Sequence, residues 1–303
     1  MSYLLGLFAN NILPIFLASA SGYLLAKYVR VNPRAISQLA FYIFSPSLVF
    51  KLLTSSQLNH TEILRMGGFA VAGVVLIGLL AWLVGVLFRF ERRLLVAMLL
   101  VVMFGNSGNY GLSLNLFAFG LPAMPYASLY FVIILLLMYT LGVFLASLGT
   151  TGIKGALVGI VKVPAVYAMV AALVVNQVGW DLPLPIDRTV TLLGDATIPT
   201  LMVLMGAQLY HSQWNGQILA LGLANGMRLV VAPLLAVGLA VVFGLTGAAF
   251  QAGVAQSAMP TAVVMTILAT EYNVEPSFVS SAVFTSTLLS PLTVTPLLAY
   301  LGA

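Results

Sequence analysis

Apolar runs of roughly 20 residues or more follow one another along almost the whole chain, and they limit what it can fold into. A helix needs about 20 residues to cross a hydrocarbon core of ~30 Å. Only 6% of the residues are charged and 61% are hydrophobic, whereas about a quarter of the residues in a soluble domain are charged. A water-facing surface cannot be built from this composition, so the runs are predicted to be membrane spans.

Charged residues, Gly and Pro divide the apolar sequence into ten predicted helices. The helices lie near 4–28, 33–55, 63–88, 93–120 and 123–148, and then near 156–178, 186–209, 217–243, 247–271 and 276–301. A linker at 149–155 separates two halves, 1–148 and 156–303. The N-terminal run has no basic leader and no small-residue cleavage site, so we interpret it as a retained first helix.

Weak internal repeats support this division into halves. Ser45-Pro46-Ser47-Leu48 in the second helix resembles Ile198-Pro199-Thr200-Leu201 in the seventh, and Asn106-Ser107 in the fourth resembles Gln256-Ser257 in the ninth. An odd number of crossings reverses the chain direction, so two related halves of five spans are inverted relative to each other. The expected fold is an all-α polytopic membrane protein of ten transmembrane helices in a five-plus-five inverted repeat.

The basic residues predict the orientation. Cytoplasmic loops of membrane proteins are enriched in Lys and Arg, and here these residues concentrate in alternate loops, which places both termini on the non-cytoplasmic side, in a cell (inner) membrane. This topology also explains the formal charge of +5, so no nucleic-acid partner is expected. The basic residues concerned are Lys27, Arg30, Arg34, Arg89, Arg92, Arg93, Lys154 and Lys162, and an aromatic belt is predicted from Trp82, Trp180 and Trp214.

The fourth and ninth spans are too polar at their centres to be continuous lipid-facing helices. The fourth contains Gly105-Asn106-Ser107-Gly108-Asn109-Tyr110-Gly111, with three glycines and four polar side chains at the depth of the hydrocarbon. Backbone unwound at that depth needs partners from buried protein or a water-filled cavity. The ninth breaks at Gln256-Ser257-Ala258-Met259-Pro260, where Pro260 suits the first turn of a new helix and Ser257 or Thr261 can cap it.

Together, the two breaks predict an anion-binding site. Half-helices that begin near mid-membrane direct free amides and positive dipole ends at a shared cavity, which holds an anion without a fixed positive charge. The alternative is structural, with glycines for close packing and hydroxyls bonded to the preceding turn. Asn106 is the preferred ligand because its amide can donate to a carboxylate. The candidate substrate-binding residues are Asn106, Ser107, Asn109, Tyr110, Gln256, Ser257, Pro260 and Thr261.

Three ionisable residues inside spans are further candidates. For Asp195 two interpretations stay open, coupling to H⁺ or another cation such as Na⁺, and a structural pair or protonated donor. Arg228 is predicted to pair with Asp195 in preference to attracting anions. Lys51, like Lys162, is interpreted as a snorkelling anchor, with an outer vestibule as the alternative place for Lys51. The chain has no cysteine, and we expect no metal or cofactor.

Several short motifs spread over the chain form one recognisable pattern. They are 258–261 with 271–274, Asn106 with Gly111-Leu112, Pro199 with Leu201, Gly206-Ala207-Gln208-Leu209, and Arg228-Leu229 with Pro233. This pattern resembles the auxin efflux carrier family, which includes plant PIN-type carriers and bacterial malonate or malate permeases. Ser113 and Val163 depart from the family pattern, in which a proline and an asparagine are usual.

The resemblance implies a fold similar to that of the NhaA antiporter and the bile-acid symporters, with helices 4 and 9 broken and crossing at the substrate site. It also implies a scaffold domain of helices 1, 2, 6 and 7, a transport domain of helices 3–5 and 8–10, elevator-type alternating access, and a homodimer. The family's carboxylate-binding asparagine carries over to Asn106. The implied function is secondary transport of a small organic anion, such as an auxin-like acid or a dicarboxylate.

Two other functions are compatible with parts of the sequence. Residues 105–108 read G-x-S-G, which is compatible with an intramembrane serine protease, but a nucleophilic serine needs a base within hydrogen-bond reach. The two histidines, His60 and His211, are predicted in loops at opposite faces, which disfavours catalysis, so we expect no enzyme. A passive anion channel needs a continuous pore, whereas a carrier needs a closed site with alternating access. The channel stays the main alternative.

Overall fold

The computed structural model describes residues 2–55, 58–147, 164–212 and 216–303, and the regular structure within these ranges is helical. We number the helices in chain order: α1 (Tyr3–Val29), α2 (Pro33–Thr54), α3 (His60–Leu87), α4 (Arg92–Met103), α5 (Ser113–Phe119), α6 (Leu121–Ser147), α7 (Pro164–Val178), α8 (Leu184–Tyr210), α9 (Ile218–Val242), α10 (Gly247–Ser257), α11 (Val264–Glu271) and α12 (Pro276–Leu301).

Seven of the described helices are long and apolar enough to span a membrane, namely α1, α2, α3, α6, α8, α9 and α12. This fits the prediction of an all-α polytopic membrane protein, and for the predicted helices 1–3, 7, 8 and 10 the predicted bounds agree with the helix ends to within a few residues. The predicted start of the sixth helix at 156 lies outside the described residues. The ten-helix inverted repeat stays a prediction. The linker 149–155, Lys154, Lys162, Val163 and Trp214 lie outside the described residues.

Local sequence explains where α3 begins. Asn59 precedes α3 and accepts a hydrogen bond from the backbone N–H of Glu62 at 2.9 Å, while the Glu62 carboxylate accepts from the N–H of Asn59 at 2.9 Å. This reciprocal cap satisfies two amides that have no partner inside the helix. The same carboxylate accepts from the Tyr126 hydroxyl at 2.5 Å, which ties the start of α3 to α6.

Helices α1 and α8 approach each other closely through two glycines. A Cβ on Gly22 would collide with the backbone carbonyl of Val203, and a Cβ on Gly206 would collide with that of Ser19. The Ser19 hydroxyl also donates to the Met202 carbonyl at 3.1 Å. Small residues permit such backbone contact between membrane helices, so α1 and α8 form a tightly packed pair.

Helix α2 joins this pair and α7 through bonds to backbone carbonyls. Thr197 of α8 donates from Oγ1 to the Phe44 carbonyl at 2.8 Å, and Asn176 of α7 donates from Nδ2 to the Leu53 carbonyl at 2.7 Å. Each bond satisfies a polar side chain that is costly to leave unpaired in an apolar setting. Helices α1, α2, α7 and α8 therefore form one packed group.

Candidate functional site

Two extended segments replace helix at the predicted breaks and pair with each other. Helix α4 ends at Met103 and α10 ends at Ser257. The Phe104 carbonyl accepts from the N–H of Ala262 at 2.9 Å, and the N–H of Asn106 donates to the Pro260 carbonyl at 2.6 Å. The antiparallel pair thus formed supplies partners for backbone groups that no helix satisfies, as burial away from water requires. We call this structure the crossing.

Asn106 holds the first break together. Its side-chain oxygen accepts from the N–H of Asn109 at 3.2 Å, which opens the wide helical turn Ser107–Leu112 that leads into α5. Its carbonyl accepts from the N–H of Gly111 at 2.9 Å. The side-chain amide lies 3.8 Å from the sulfur of Met205 in α8, a weak acceptor. The donor capacity of this amide is therefore largely unused in the present conformation.

A small cavity lies beside the crossing. Its volume is about 40 Å³, enough for a water molecule and far below the several hundred Å³ of an ordinary ligand pocket. The conformation is therefore closed around the predicted site. The lining residues are Gly105, Asn106, Ser107, Gly108 and Asn109 from the first break, Phe131, Leu135 and Met138 from α6, and Ala262, Val263 and Val264 from the second break.

The structure brings the predicted residues of the first break to the cavity but leaves Tyr110 outside its lining. The Tyr110 hydroxyl accepts from the Ser290 hydroxyl at 3.3 Å, and its ring meets Phe16 edge-on at a centroid distance of 6.2 Å. The side chain of Tyr110 is buried among helices. In this conformation it packs the turn Ser107–Leu112 against α12 and α1.

The predicted residues of the second break have mainly backbone or inter-helix contacts. Gln256 donates from Nε2 to the Ala127 carbonyl at 3.1 Å, and its Oε1 lies against Gly111 and has no hydrogen-bond partner among the described residues. The Ser257 hydroxyl bonds Gly253 and Tyr130, at 3.0 and 3.1 Å.

Pro260 and Thr261 complete the second break. Pro260 contributes the carbonyl that accepts from Asn106. Thr261 donates from Oγ1 to the Val101 carbonyl at 2.8 Å and from its N–H to the Ser286 hydroxyl at 3.1 Å. Both residues hold the crossing itself, and neither lines the cavity.

Gln208 of α8 contacts the site and was absent from the predicted set. Its Oε1 accepts from Nδ2 of Asn109 at 3.3 Å. Met205, one turn earlier on α8, meets Asn106. A polar side chain within a membrane span is itself a functional signal, and Gln208 carries that signal in the sequence, but the sequence does not show that α8 faces the first break.

The predicted pair of Arg228 with Asp195 is wrong. Asp195 bonds Lys51 of α2, with 2.6 Å between Oδ1 and Nζ. Arg228 lies in α9 and donates to backbone carbonyls of the crossing. The Asp195 side chain is 63% exposed to the space outside the protein. Helix α8 places Asp195 against α2, where Lys51 is its ionic partner.

Lys51 also borders a second, larger cavity. An open cleft of about 740 Å³ lies between the ends of α2, α7 and α8, and Thr54, Asn176, Trp180 and Asp187 are among its lining residues. This position fits the vestibule alternative for Lys51 better than a simple snorkelling anchor. Trp180 faces the cleft as well.

The surroundings of Ser107 do not fit a catalytic serine in the part of the chain that the structure describes. The Ser107 hydroxyl donates to the Gly105 carbonyl at 3.4 Å. His60 begins α3 and His211 directly follows α8. Among the described residues, the hydroxyl has no recorded bond to a basic side chain, and a base within reach is what such chemistry needs.

Seven long apolar helices among the described residues indicate a multi-pass integral membrane protein, and the family assignment below makes it a transporter. The model of a family described as membrane transport protein matches residues 7–155 and 151–298. The chain belongs to this family, and the resemblance to the auxin efflux carriers is confirmed. Since the family consists of transporters, the prediction that the chain is not an enzyme is also confirmed.

Individual relatives agree with this assignment. The chain is 28% identical to an uncharacterized transporter of Methanothermobacter thermautotrophicus over 186 residues, or 61% of each protein. It is 24% identical to an uncharacterized transporter of Methanocaldococcus jannaschii over 272 residues, 87% of this chain and 88% of the relative. It is 30% identical to auxin efflux carrier component 1 of Arabidopsis thaliana over 118 residues, which cover 37% of this chain and 18% of that carrier. The matches with the first and third relatives thus span less than two thirds of their length.

Proposed function

We propose that the chain is a secondary carrier of a small organic anion, with the substrate site at the crossing. The observation that carries this proposal is the pair of interrupted helices, because their unwound segments place backbone amides and the Asn106 amide beside one small cavity. Such groups bind carboxylates in low-dielectric surroundings. The name of the Arabidopsis relatives, auxin efflux carrier, agrees with an organic-acid substrate.

The closed cavity favours a carrier over a passive channel. A volume of about 40 Å³ cannot admit a carboxylic acid, so binding requires the walls of the site to move. A channel keeps a continuous pore, whereas alternating access opens a closed site to one side at a time. The proposed cycle therefore includes an open conformation with a larger cavity than the one described here.

The packing suggests which parts move. In the proposed elevator, the scaffold consists of the predicted spans 1, 2, 6 and 7, which are α1, α2, α7 and α8 in the structure. Their glycine contacts and hydrogen bonds to backbone carbonyls supply the rigidity that a scaffold needs. The crossing and the remaining helices form the transport domain. In this proposal the ten spans form two inverted halves, both termini lie on the non-cytoplasmic side of the cell (inner) membrane, and two copies form a homodimer.

An uptake screen in proteoliposomes tests the function. Radiolabelled small mono- and dicarboxylates and aromatic acids are offered to wild type and to Asn106→Ala. We expect saturable uptake of at least one acid by wild type and a fall of roughly tenfold or more in the variant, because a hydrogen bond to a charged group contributes about 1.5–3 kcal/mol.

A matched control separates a local effect from general damage. Asn225 is a second buried asparagine, which donates from Nδ2 to Oγ1 of Thr285 at 2.8 Å and lies outside the cavity lining. Asn225→Ala should retain uptake. Wild-type uptake that survives unchanged in Asn106→Ala would remove Asn106 from the site, and the lack of uptake of any acid by folded wild type would contradict the function.

A further inference from the structure

Arg228 is a buried cation without a carboxylate partner. Its side chain belongs to α9 and only 4% of the residue is exposed. All seven Asp and Glu residues of the chain lie in the part that the structure describes, and within that part the one salt bridge joins Asp195 to Lys51. The guanidinium group does not lose its proton in proteins. A full positive charge therefore remains inside the protein.

Backbone carbonyls of both interrupted helices hold this charge. Arg228 donates from Nε to the Met259 carbonyl at 2.7 Å, from Nη1 to the Val102 carbonyl at 3.0 Å, and from Nη2 to the Ser257 carbonyl. Val102 lies in the last turn of α4, and Ser257 is the last residue of α10. Carbonyls at helix C-termini have no partner within the helix and carry partial negative charge. The arginine thus joins the two helix ends behind the crossing.

Gly105 is the contact between Arg228 and the cavity. It lines the cavity on one side. A Cβ at Gly105 would lie 2.5 Å from Nη2 of Arg228, so the guanidinium packs against a residue of the cavity lining. Carbonyl dipoles orient around a charge without cancelling it. In a protein interior, a unit charge next to the lining favours an anion in the cavity.

We propose that Arg228 is the fixed positive charge of the substrate site and makes it selective for anions without touching them. This inference rests on the proposed function, since it assigns the charge preference of that same site. It also revises the expectation that helix ends and amides alone attract the anion. Arg228 is in this sense a positioning and charge-setting residue.

The experiment compares carboxylates with neutral molecules of the same shape. Benzoate and benzamide form one pair, and malonate and malonamide form the other. Dissociation constants are taken from ligand-dependent shifts of the thermal unfolding of purified protein. We expect wild type to prefer at least one carboxylate to its amide, and Arg228→Gln to lose about tenfold or more of that preference. Arg228→Lys, which keeps the charge, should restore most of it.

A second variant cancels the charge while leaving Arg228 in place. Ala232 lies one turn further along α9 and lines the same small void as the guanidinium. Ala232→Asp places a carboxylate there, and we expect the same loss of preference as in Arg228→Gln. If Arg228→Gln does not fold, Ala232→Asp decides the question. Arg65→Gln is the control, because Arg65 is an exposed arginine bonded to the Gly244 carbonyl, and it should keep the wild-type preference.

The outcomes distinguish this inference from the function on which it rests. Wild type that binds neither carboxylate more tightly than its amide would contradict the anion site and with it the proposed function. A wild-type preference that persists in both Arg228→Gln and Ala232→Asp would overturn the role of Arg228 alone.

Discussion

The backbone N–H of Asn106 donates to the carbonyl of Pro260 at 2.6 Å, so the two interrupted helices hold each other at their breaks. This bond and its neighbour between Ala262 and Phe104 satisfy peptide groups that would otherwise be unpaired in the middle of the protein. The geometry leaves little space on either side of the pair. Gly105 occupies this space.

Gly105→Ala should destabilise the protein by about 1–3 kcal/mol, the usual effect of overpacking a tight core. The added Cβ would lie 2.5 Å from Arg228 Nη2 and 3.2 Å from the Met259 carbonyl. Thermal unfolding in detergent measures the change. Gly238→Ala in α9 is the control, because nothing lies within 4 Å of its added Cβ. Equal stability of the two variants would mean that Gly105 is not confined as described.

Gln208→Ala should open the cavity more often. Its bond with Asn109 is worth about 0.5–1.5 kcal/mol, so its loss shifts the balance toward open conformations by roughly 2–12-fold. The chain has no cysteine, and Val263→Cys therefore places a single thiol on the cavity wall. We expect a water-soluble maleimide to label it faster by a similar factor.

The control for this labelling is Gln251→Ala. Gln251 donates from Nε2 to the Leu301 carbonyl at 3.0 Å and does not line the cavity, so its loss should leave the labelling rate of Val263→Cys unchanged. A rate that responds equally to both glutamine substitutions would show general loosening and would refute a specific role for Gln208.

The pair of Lys51 with Asp195 should be a modest structural contact. Because the Asp195 side chain is 63% exposed, a double-mutant cycle of Lys51→Met and Asp195→Asn should give a coupling of about 0.2–1 kcal/mol. We further expect Asp195→Asn to keep the pH dependence of uptake seen in wild type. If this variant loses that dependence, Asp195 couples transport to protons.

Glu62→Ala should cost about 1–2 kcal/mol of stability, since it removes half of the reciprocal cap of α3 and the acceptor of the Tyr126 hydroxyl. Glu91→Ala removes the same charge at the start of α4, where no side-chain cap bond exists. We expect its effect to stay within about 0.5 kcal/mol. Denaturation midpoints of the two variants measured side by side check this difference.

The spans and their interruptions were predictable because each has a local cause. Apolar length predicts a span, and a cluster such as 105–111 predicts a break, since hydrocarbon cannot satisfy unwound backbone. Which partner a side chain contacts, in contrast, depends on parts of the chain that are distant in sequence. Gln256 was predicted at the substrate site, yet its amide donates to Ala127, 129 positions earlier.

The ionic partners illustrate the same limit. Lys51 and Asp195 are 144 positions apart, and sequence alone offers no reason to prefer this pair over Arg228 with Asp195. The hydrogen bonds from Arg228 to backbone carbonyls could not be predicted from residue types either, because every residue has a backbone carbonyl. The fold class therefore followed from composition, whereas the electrostatics of the site required three-dimensional positions.

The tight contact of α1 with α8 can serve as the reference against which movement of the crossing is measured. Because Gly22 and Gly206 bring the two backbones together, neither helix can slide along the other without a collision. The distance between a spin label on α1 and one on α8 should stay constant throughout the transport cycle. The distances from these two labels to a third label at the crossing then report how far the crossing moves.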